Sequence, residues 1–159
     1  MVKYYSTSMS TAFSISRVDK RKNPNKNDNN LNYFINIFGD KVVDISKRKS
    51  ELKSDLRNSG KSNKERRQAI YKKFVELLHE IDIAIDKEYN RALTNVDRAL
   101  NATEKAKAEA VERIEKFKGN LISYKKDIQN IFEKEKELGF TSVEYENYII
   151  KNKKEEKII

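Results

Sequence analysis

Hydrophobic residues recur every three or four positions from Leu31 onwards, which is the spacing of one face of an α-helix. Between Phe38 and Leu56 the intervals alternate four and three, as they do at the core positions of a coiled coil. Leu31 extends this pattern backwards across Gly39, because one glycine weakens a helix by only about 1 kcal/mol. The turn-forming residues 58–60 (Asn-Ser-Gly) then predict the end of this first helix.

A second helix is predicted to begin at the capping-box sequence of residues 62–65 (Ser-Asn-Lys-Glu). Its apolar stripe continues to Leu100, and it resumes at Ala110 and reaches Ile131. The intervening residues 101–110 favour a helix but carry no large hydrophobic side chain. The pattern therefore predicts helix on both sides of this gap in the apolar stripe.

The stripe passes through Gly119 without losing phase, which favours one helix from about residue 63 to about residue 138. At 1.5 Å per residue such a helix would be about 110 Å long. The alternative is a reversal at Gly119 that folds residues 120–138 back into a compact bundle.

The end of the chain carries clear helix boundary signals. Gly139 suits the left-handed position that follows a helix. Residues 141–144 (Thr-Ser-Val-Glu) form a second capping box, so a last helix is expected at about 142–156.

The chain thus divides into an N-terminal arm (1–30), a helical hairpin or coiled coil (31–138) and a C-terminal helix with a basic tail (139–159). The arm is rich in Ser, Thr and Asn and has too little apolar surface to offset the entropy of ordering it alone. Disorder in isolation is therefore the default expectation, and an arm that becomes extended on a partner and a targeting leader are the two functional hypotheses. Its contact candidates, which alternate with serines, are Met9, Phe13 and Ile15.

The short connection after the first helix makes the first two helices antiparallel neighbours. The first helix can then cover the long helix only as far as about Tyr89, and the rest of the stripe has no partner within the chain. Leaving large apolar side chains in water forfeits about 1.5–3 kcal/mol each, so a protein partner or a homo-oligomer is expected. The candidates for this partner-helix seam are Leu93, Val96, Leu100, Ile114, Phe117, Leu121, Tyr124, Ile128 and Ile131.

Charge is distributed unevenly in this chain of net charge +9. Residues 1–74 hold 18 basic and 7 acidic side chains, whereas residues 75–149 hold 12 and 16. Lysine, asparagine and isoleucine share A/T-rich codons, so genome composition can explain much of the lysine content. It does not readily explain why the two signs of charge are separated.

Positive charge is densest around the predicted hairpin turn, where residues 47–73 hold eleven basic and three acidic side chains. Such a tip could bind nucleic acid, an anionic membrane or an acidic protein surface, and a merely solvated hairpin end is the alternative. The polyanion-binding candidates are Lys47, Arg48, Lys49, Lys53, Arg57, Lys61, Lys64, Arg66, Arg67, Lys72 and Lys73.

Recognisable catalytic chemistry is absent from the sequence. Without cysteine the chain can form neither a disulfide nor a thiolate metal site, and its four isolated glycines make no phosphate-binding loop. Its one histidine, His79, completes a single Glu-x-x-His with Glu76, whereas ferritin-like metal sites need this motif on two helices. We therefore expect no catalytic residue, cofactor or metal.

No apolar run approaches the length of about 18 residues that a membrane span needs, and no secretory signal peptide is evident. A location in the cytoplasm or within a macromolecular assembly is expected. The predicted fold is all-α: an antiparallel helical hairpin with a long coiled-coil helix, a short C-terminal helix and an extended N-terminal arm.

Three functions fit this architecture. The first is a non-enzymatic scaffolding or assembly protein of a virus, mobile element or secretion machine, acting through its coiled coil and its arm. The second is a sequence-independent nucleic-acid-associated protein that uses the basic tip, residues 47–73. The third is an inhibitor or regulator that wedges a helical hairpin into a partner enzyme.

Overall fold

The computed structural model describes the backbone of residues 26–158 and the side chains of residues 31–154. This part of the chain is all-α, which confirms the predicted fold class. A π-helical turn joins two of the helices without a break. In chain order the elements are α1 (Lys26–Ser59), α2 (Lys64–Ile83), the π-helical turn (Ala84–Glu88), α3 (Tyr89–Asp97), α4 (Glu104–Glu137) and α5 (Val143–Ile158).

Helices α1 and α2 pack as an antiparallel pair. Near the turn between them, Arg67 Nη1 donates to Ser59 Oγ at 3.3 Å. Further from the turn, Lys41 Nζ lies 2.9 Å from Glu80 Oε1. Residue numbers fall along α1 as they rise along α2, so the two helices run in opposite directions. This pairing agrees with the predicted hairpin.

Helix α4 folds back onto this pair and lies parallel to α1. The rings of Phe38 and Phe117 meet edge to face, with centroids 5.8 Å apart. Eleven residues further along α1, Lys49 Nζ lies 2.6 Å from Asp127 Oδ2. The three long helices therefore form an up-down-up bundle.

Helix α5 covers the groove between α2 and α4 at one end of the bundle. The ring of Tyr145 stacks on that of Phe132 in α4, with centroids 4.0 Å apart. Tyr148 Oη donates to Asp82 Oδ2 of α2 at 2.6 Å. α5 thus adds a short fourth helix to the bundle of three long helices.

The prediction of one helix from about residue 63 to residue 138 is wrong. α3 ends at Asp97, and residues 98–103 reverse the chain before α4 begins at Glu104. The alternative reversal at Gly119 is also wrong, because Gly119 lies within α4. The chain reverses instead at the edge of the segment that lacks large hydrophobic residues, where continuing straight would bury nothing.

Side chains cap the helices close to the predicted positions. Ser142 Oγ accepts from the N–H of Tyr145 at 3.2 Å, and Asn63 Oδ1 accepts from the N–H of Arg66 at 3.0 Å. Each cap is one residue later than the capping boxes predict. The unpredicted start of α4 is capped by Thr103, whose Oγ1 accepts from the N–H of a residue three positions on, Ala106, at 3.0 Å.

The partner-helix seam lies largely in the core of this chain. Helices α1, α2 and α3 all pack against α4, so the premise that the seam lacks a partner within the chain is wrong. Val96, Ile114, Leu121 and Ile128 are buried, and only Leu100, at 88% exposure, is fully exposed. The four remaining seam residues are half-buried against this core: Leu93, Phe117, Tyr124 and Ile131.

The predicted arm overlaps the bundle by five residues, since α1 begins at Lys26 rather than at residue 31. The arm contact candidates Met9, Phe13 and Ile15 lie outside the described residues.

Candidate functional site: the basic end of the bundle

One end of the bundle gathers four chain segments. The end of α1 and the start of α2 lie there, joined by Gly60, whose φ is +73°. The end of α4 and the start of α5 lie beside them, joined around Gly139 at a φ of +94°. We call residues 47–73 together with the last two turns of α4 the basic end.

Three of the eleven predicted polyanion-binding residues are used inside the protein, and Arg48 is the first. Its Nη1 and Nη2 donate to the two carboxylate oxygens of Glu80 at 2.7 and 2.5 Å, and Nη1 also reaches Asp44 at 3.2 Å. The hydrogen bond from Arg48, together with that from Lys41, lowers the pKa of Glu80 to about 2. Arg48 therefore holds α1 to α2.

Lys49 is the second internally used residue and joins α1 to α4. Although it is a lysine, it occupies a core position of the α1 stripe and is buried. Its ammonium group pairs with Asp127 and lies 4.8 Å from the centre of the Tyr124 ring. Its charge is thus compensated within the bundle.

Arg67 is the third and the most buried of the basic candidates. Its guanidinium donates to Glu135 in α4 and to the carbonyl oxygen of Gly60 at 3.2 Å. Its opposite face lies 4.3 Å from the centre of the Phe140 ring. One side chain therefore ties together the end of α1, α2, α4 and the turn before α5.

The carboxylate of Glu135 also accepts a hydrogen bond from the Tyr71 hydroxyl. Burial and this hydrogen bond raise the pKa of Tyr71 to about 12. Burial alone would lower the pKa of Arg67, but its hydrogen bonds to Tyr71 and Glu135 outweigh burial and raise it. Both shifts keep Tyr71 neutral and Arg67 charged near neutral pH.

The other eight candidates are exposed and free to act outside the protein. Within the part of the chain that the structure describes, none of them forms an ion pair. They do not share one face, because residues two positions apart on a helix, such as Lys64 and Arg66 in α2, point to nearly opposite sides. These exposed cations are Lys47, Lys53, Arg57, Lys61, Lys64, Arg66, Lys72 and Lys73.

A groove of about 500 Å³ opens at the basic end between α1 and α4. Leu56 and Ile131 supply apolar surface to it, while Arg67 and Glu135 lie where it meets the buried cluster. Four cations line the groove as well: Lys53, Arg57, Lys61 and Lys134. We call it the α1–α4 groove.

A second open groove, of about 420 Å³, lies between α2 and α5. Its charges are mixed, because Lys72 and Lys151 line it together with Glu76 and Glu144. His79 lines it too and meets the Tyr148 ring edge to face, with centroids 5.2 Å apart. This groove has no excess of one sign of charge.

Metal and membrane chemistry find no support in the described residues. They contain no group of three or more His, Asp or Glu side chains that could hold a metal ion. No helix among them is both long enough and apolar enough to cross a bilayer.

Sequence reasoning missed the contribution of α4 to this site. Lys134 and Glu135 belong to a run of alternating charges that is typical of a solvated helix. Only the reversal at residues 98–103 brings them beside α1. The one signal for that reversal was the Thr103-Glu104 pair, a helix-start sequence inside the predicted long helix.

Comparisons of the chain with protein-family models, with curated proteins and with solved structures give no match in any of the three.

Proposed function

We propose that this protein is a non-enzymatic nucleic-acid-binding protein that uses its basic end without regard to sequence. The observation that carries the proposal is the division of the eleven basic candidates. Three are consumed by ion pairs inside the bundle, and eight remain exposed and unpaired within the described chain. Cations that a fold does not need for itself are available to neutralise phosphates.

The arrangement favours phosphate contacts over base reading. Exposed Lys and Arg side chains on several sides of one end can follow a phosphate backbone, which carries no sequence information. No cation of the basic end other than Arg48, Lys49 and Arg67 is held in place by a described ion pair. Exposed cations that neutralise phosphates give affinity that depends strongly on salt and weakly on sequence.

The folded chain gives the scaffolding and wedging hypotheses less support than the sequence alone does. Assembly through the seam rested on apolar residues without a partner, and most of these are buried within the chain itself. Wedging requires a free helical hairpin, but the α1–α2 pair is covered by α4 through contacts such as Phe38–Phe117. Assembly through the arm stays a prediction that depends on residues outside the described part.

The test measures, by fluorescence anisotropy, how tightly the full chain binds labelled DNA duplexes of two unrelated sequences. The salt concentration is varied from about 50 to about 200 mM. We expect similar affinities for both sequences and a steep loss of affinity with salt. The triple variant Lys64→Gln/Arg66→Gln/Lys73→Gln should bind at least about tenfold more weakly. The slope of log affinity against log salt concentration should become shallower by up to about 2.7.

A matched control removes three exposed cations that lie far from the basic end. Arg98→Gln/Lys105→Gln/Lys116→Gln changes the net charge equally, so it should change affinity much less. Equal losses in the two triple variants would show a general charge effect and contradict the proposal. Binding to anionic lipid vesicles with no binding to DNA would contradict it as well.

A further inference from the structure

The α1–α4 groove differs from the rest of the basic end because it combines cations with an apolar floor. Lys53 and Arg57 are one helical turn apart on α1, and Lys134 stands on α4. Between them lie Leu56, which is buried, and Ile131, which is half-buried. Cations on both helices therefore flank a strip of aliphatic surface.

The acid in this groove is already neutralised. Glu135 is the one carboxylate among the described residues that line it, and it is bound by Arg67 and the Tyr71 hydroxyl. Lys53, Arg57, Lys61 and Lys134 have no such partner within the described chain. An anionic ligand would therefore meet net positive charge on the groove walls.

The groove is closed at its inner end. Lys49 lies two helical turns before Leu56, and Tyr124 lies two turns before Ile131. There the Lys49–Asp127 ion pair and the Tyr124 ring join α1 to α4. The groove is thus a short recess at the end of the bundle rather than a continuous channel.

We infer that the α1–α4 groove binds a single-stranded segment of nucleic acid, an inference that rests on the proposed function. Two packed helices lie about 8–10 Å apart, which leaves a recess too narrow for a duplex. A single strand can set its phosphates against the cations on the two walls and place the apolar edge of a sugar or base against Ile131. The groove volume of about 500 Å³ is of the size that holds one small ligand unit such as a nucleotide.

Charge complementarity favours this occupant over an acidic helix of a partner protein. A helix lying in a groove is anchored by several apolar residues along two or more turns. The described groove offers two aliphatic side chains and four cations. That composition suits a ligand with a high density of negative charge and little apolar surface.

The experiment compares two probes, a fluorescein-labelled oligothymidylate and a duplex of the same length, bound to the full chain. The groove variant is Lys53→Gln/Lys134→Gln, and its matched control is Lys64→Gln/Lys73→Gln, which removes the same charge outside the groove. We expect the groove variant to bind oligothymidylate about tenfold more weakly and the duplex less than about threefold more weakly. The control should weaken both probes by similar factors.

All four substituted lysines are exposed, and unchanged thermal melting of each variant confirms that the fold is retained. If both variants weaken both probes equally, the groove inference fails while the proposed function stands. If the unmodified protein binds neither probe, both fail. Displacement of oligothymidylate by polyglutamate at equal charge would show an acidic-protein site and overturn the inference.

Discussion

The ring of Phe117 lies directly against Gly39, where α4 packs on α1. A Cβ atom placed at position 39 would be 2.9 Å from Cζ and 3.0 Å from Cε2 of that ring. The same ring meets Phe38 edge to face. A glycine that looks like a weak point in the first helix is thus the place where the returning helix approaches.

This contact predicts that Gly39→Ala destabilises the protein. Crowding the ring should cost about 1–3 kcal/mol, which the better helix propensity of alanine offsets by about 0.5–1 kcal/mol. Urea denaturation should show a lower free energy of unfolding. The control is Gly119→Ala, at a helical position where an added Cβ meets open space, and it should stabilise by about 0.5–1 kcal/mol. Equal gains at both positions would contradict the contact.

The burial of the seam predicts that two of its leucines differ strongly in how much they contribute to stability. Leu121 is fully buried in α4, so Leu121→Ala should lower the free energy of unfolding by about 2–5 kcal/mol. Leu100 is exposed in the loop between α3 and α4, so Leu100→Ala should change it by less than about 0.5 kcal/mol. Both effects should be independent of protein concentration. A stability that rises with concentration and depends on Leu100 would instead indicate a seam used for self-association.

The buried Arg67–Glu135 pair predicts strong coupling between its partners. Arg67→Met leaves the Glu135 carboxylate buried without its counter-ion and should destabilise by about 3–5 kcal/mol. Adding Glu135→Leu to this variant should recover most of the loss, because an apolar pair is not penalised for desolvation. A double-mutant cycle of Arg67→Met, Glu135→Leu and the double variant, measured by urea denaturation, checks this coupling. The coupling is excluded if the stability losses of the two single variants simply add in the double variant.

The ion pairs of Glu80 predict a specific loss of stability in acid. Arg48 and Lys41 lower the pKa of this carboxyl from 4.5 to about 2, so its contribution is present above about pH 5 and disappears as the pH falls towards 2. Solvent screening of the partly exposed pairs reduces that contribution to about 1 kcal/mol.

Glu80→Gln should therefore be destabilised at pH 7 and should approach the unmodified protein at about pH 2. Urea denaturation across this range provides the measurement. The matched control is Glu76→Gln one turn earlier, since Glu76 is exposed and makes no ion pair with a described residue. A constant difference between Glu80→Gln and the unmodified protein at all pH values would contradict the ion-pair geometry.

The local pattern of the sequence was sufficient for the helical class and for several helix ends, but not for the break between α3 and α4. The alternating intervals from Phe38 to Leu56 predict α1, and Gly139 correctly predicts the end of α4. The N–H groups of Gly139 and Phe140 there donate to the carbonyl oxygens of Lys136 and Glu135, at 2.9 and 2.8 Å. Such features depend on neighbours within a few positions, which is why they can be recognised from sequence.

The basic end was predictable in part for the same reason. Its eight exposed cations lie close together in the sequence on either side of a recognisable turn. Arg48, Lys49 and Arg67 could not be separated from them, because their partners Glu80, Asp127 and Glu135 are 32, 78 and 68 positions away.

The sequence by itself determined that this protein is helical, where α1 and α4 end and where α2 and α5 begin, and that positive charge collects around the first turn. Only the tertiary structure decided that the chain reverses at residues 98–103, that the seam is buried within the chain, and that α4 forms the second wall of a cationic groove. The reason is that no glycine or proline marks that reversal. It is favoured because it covers the apolar face of α4 with α1, α2 and α3, a gain in burial between distant segments that no local pattern records.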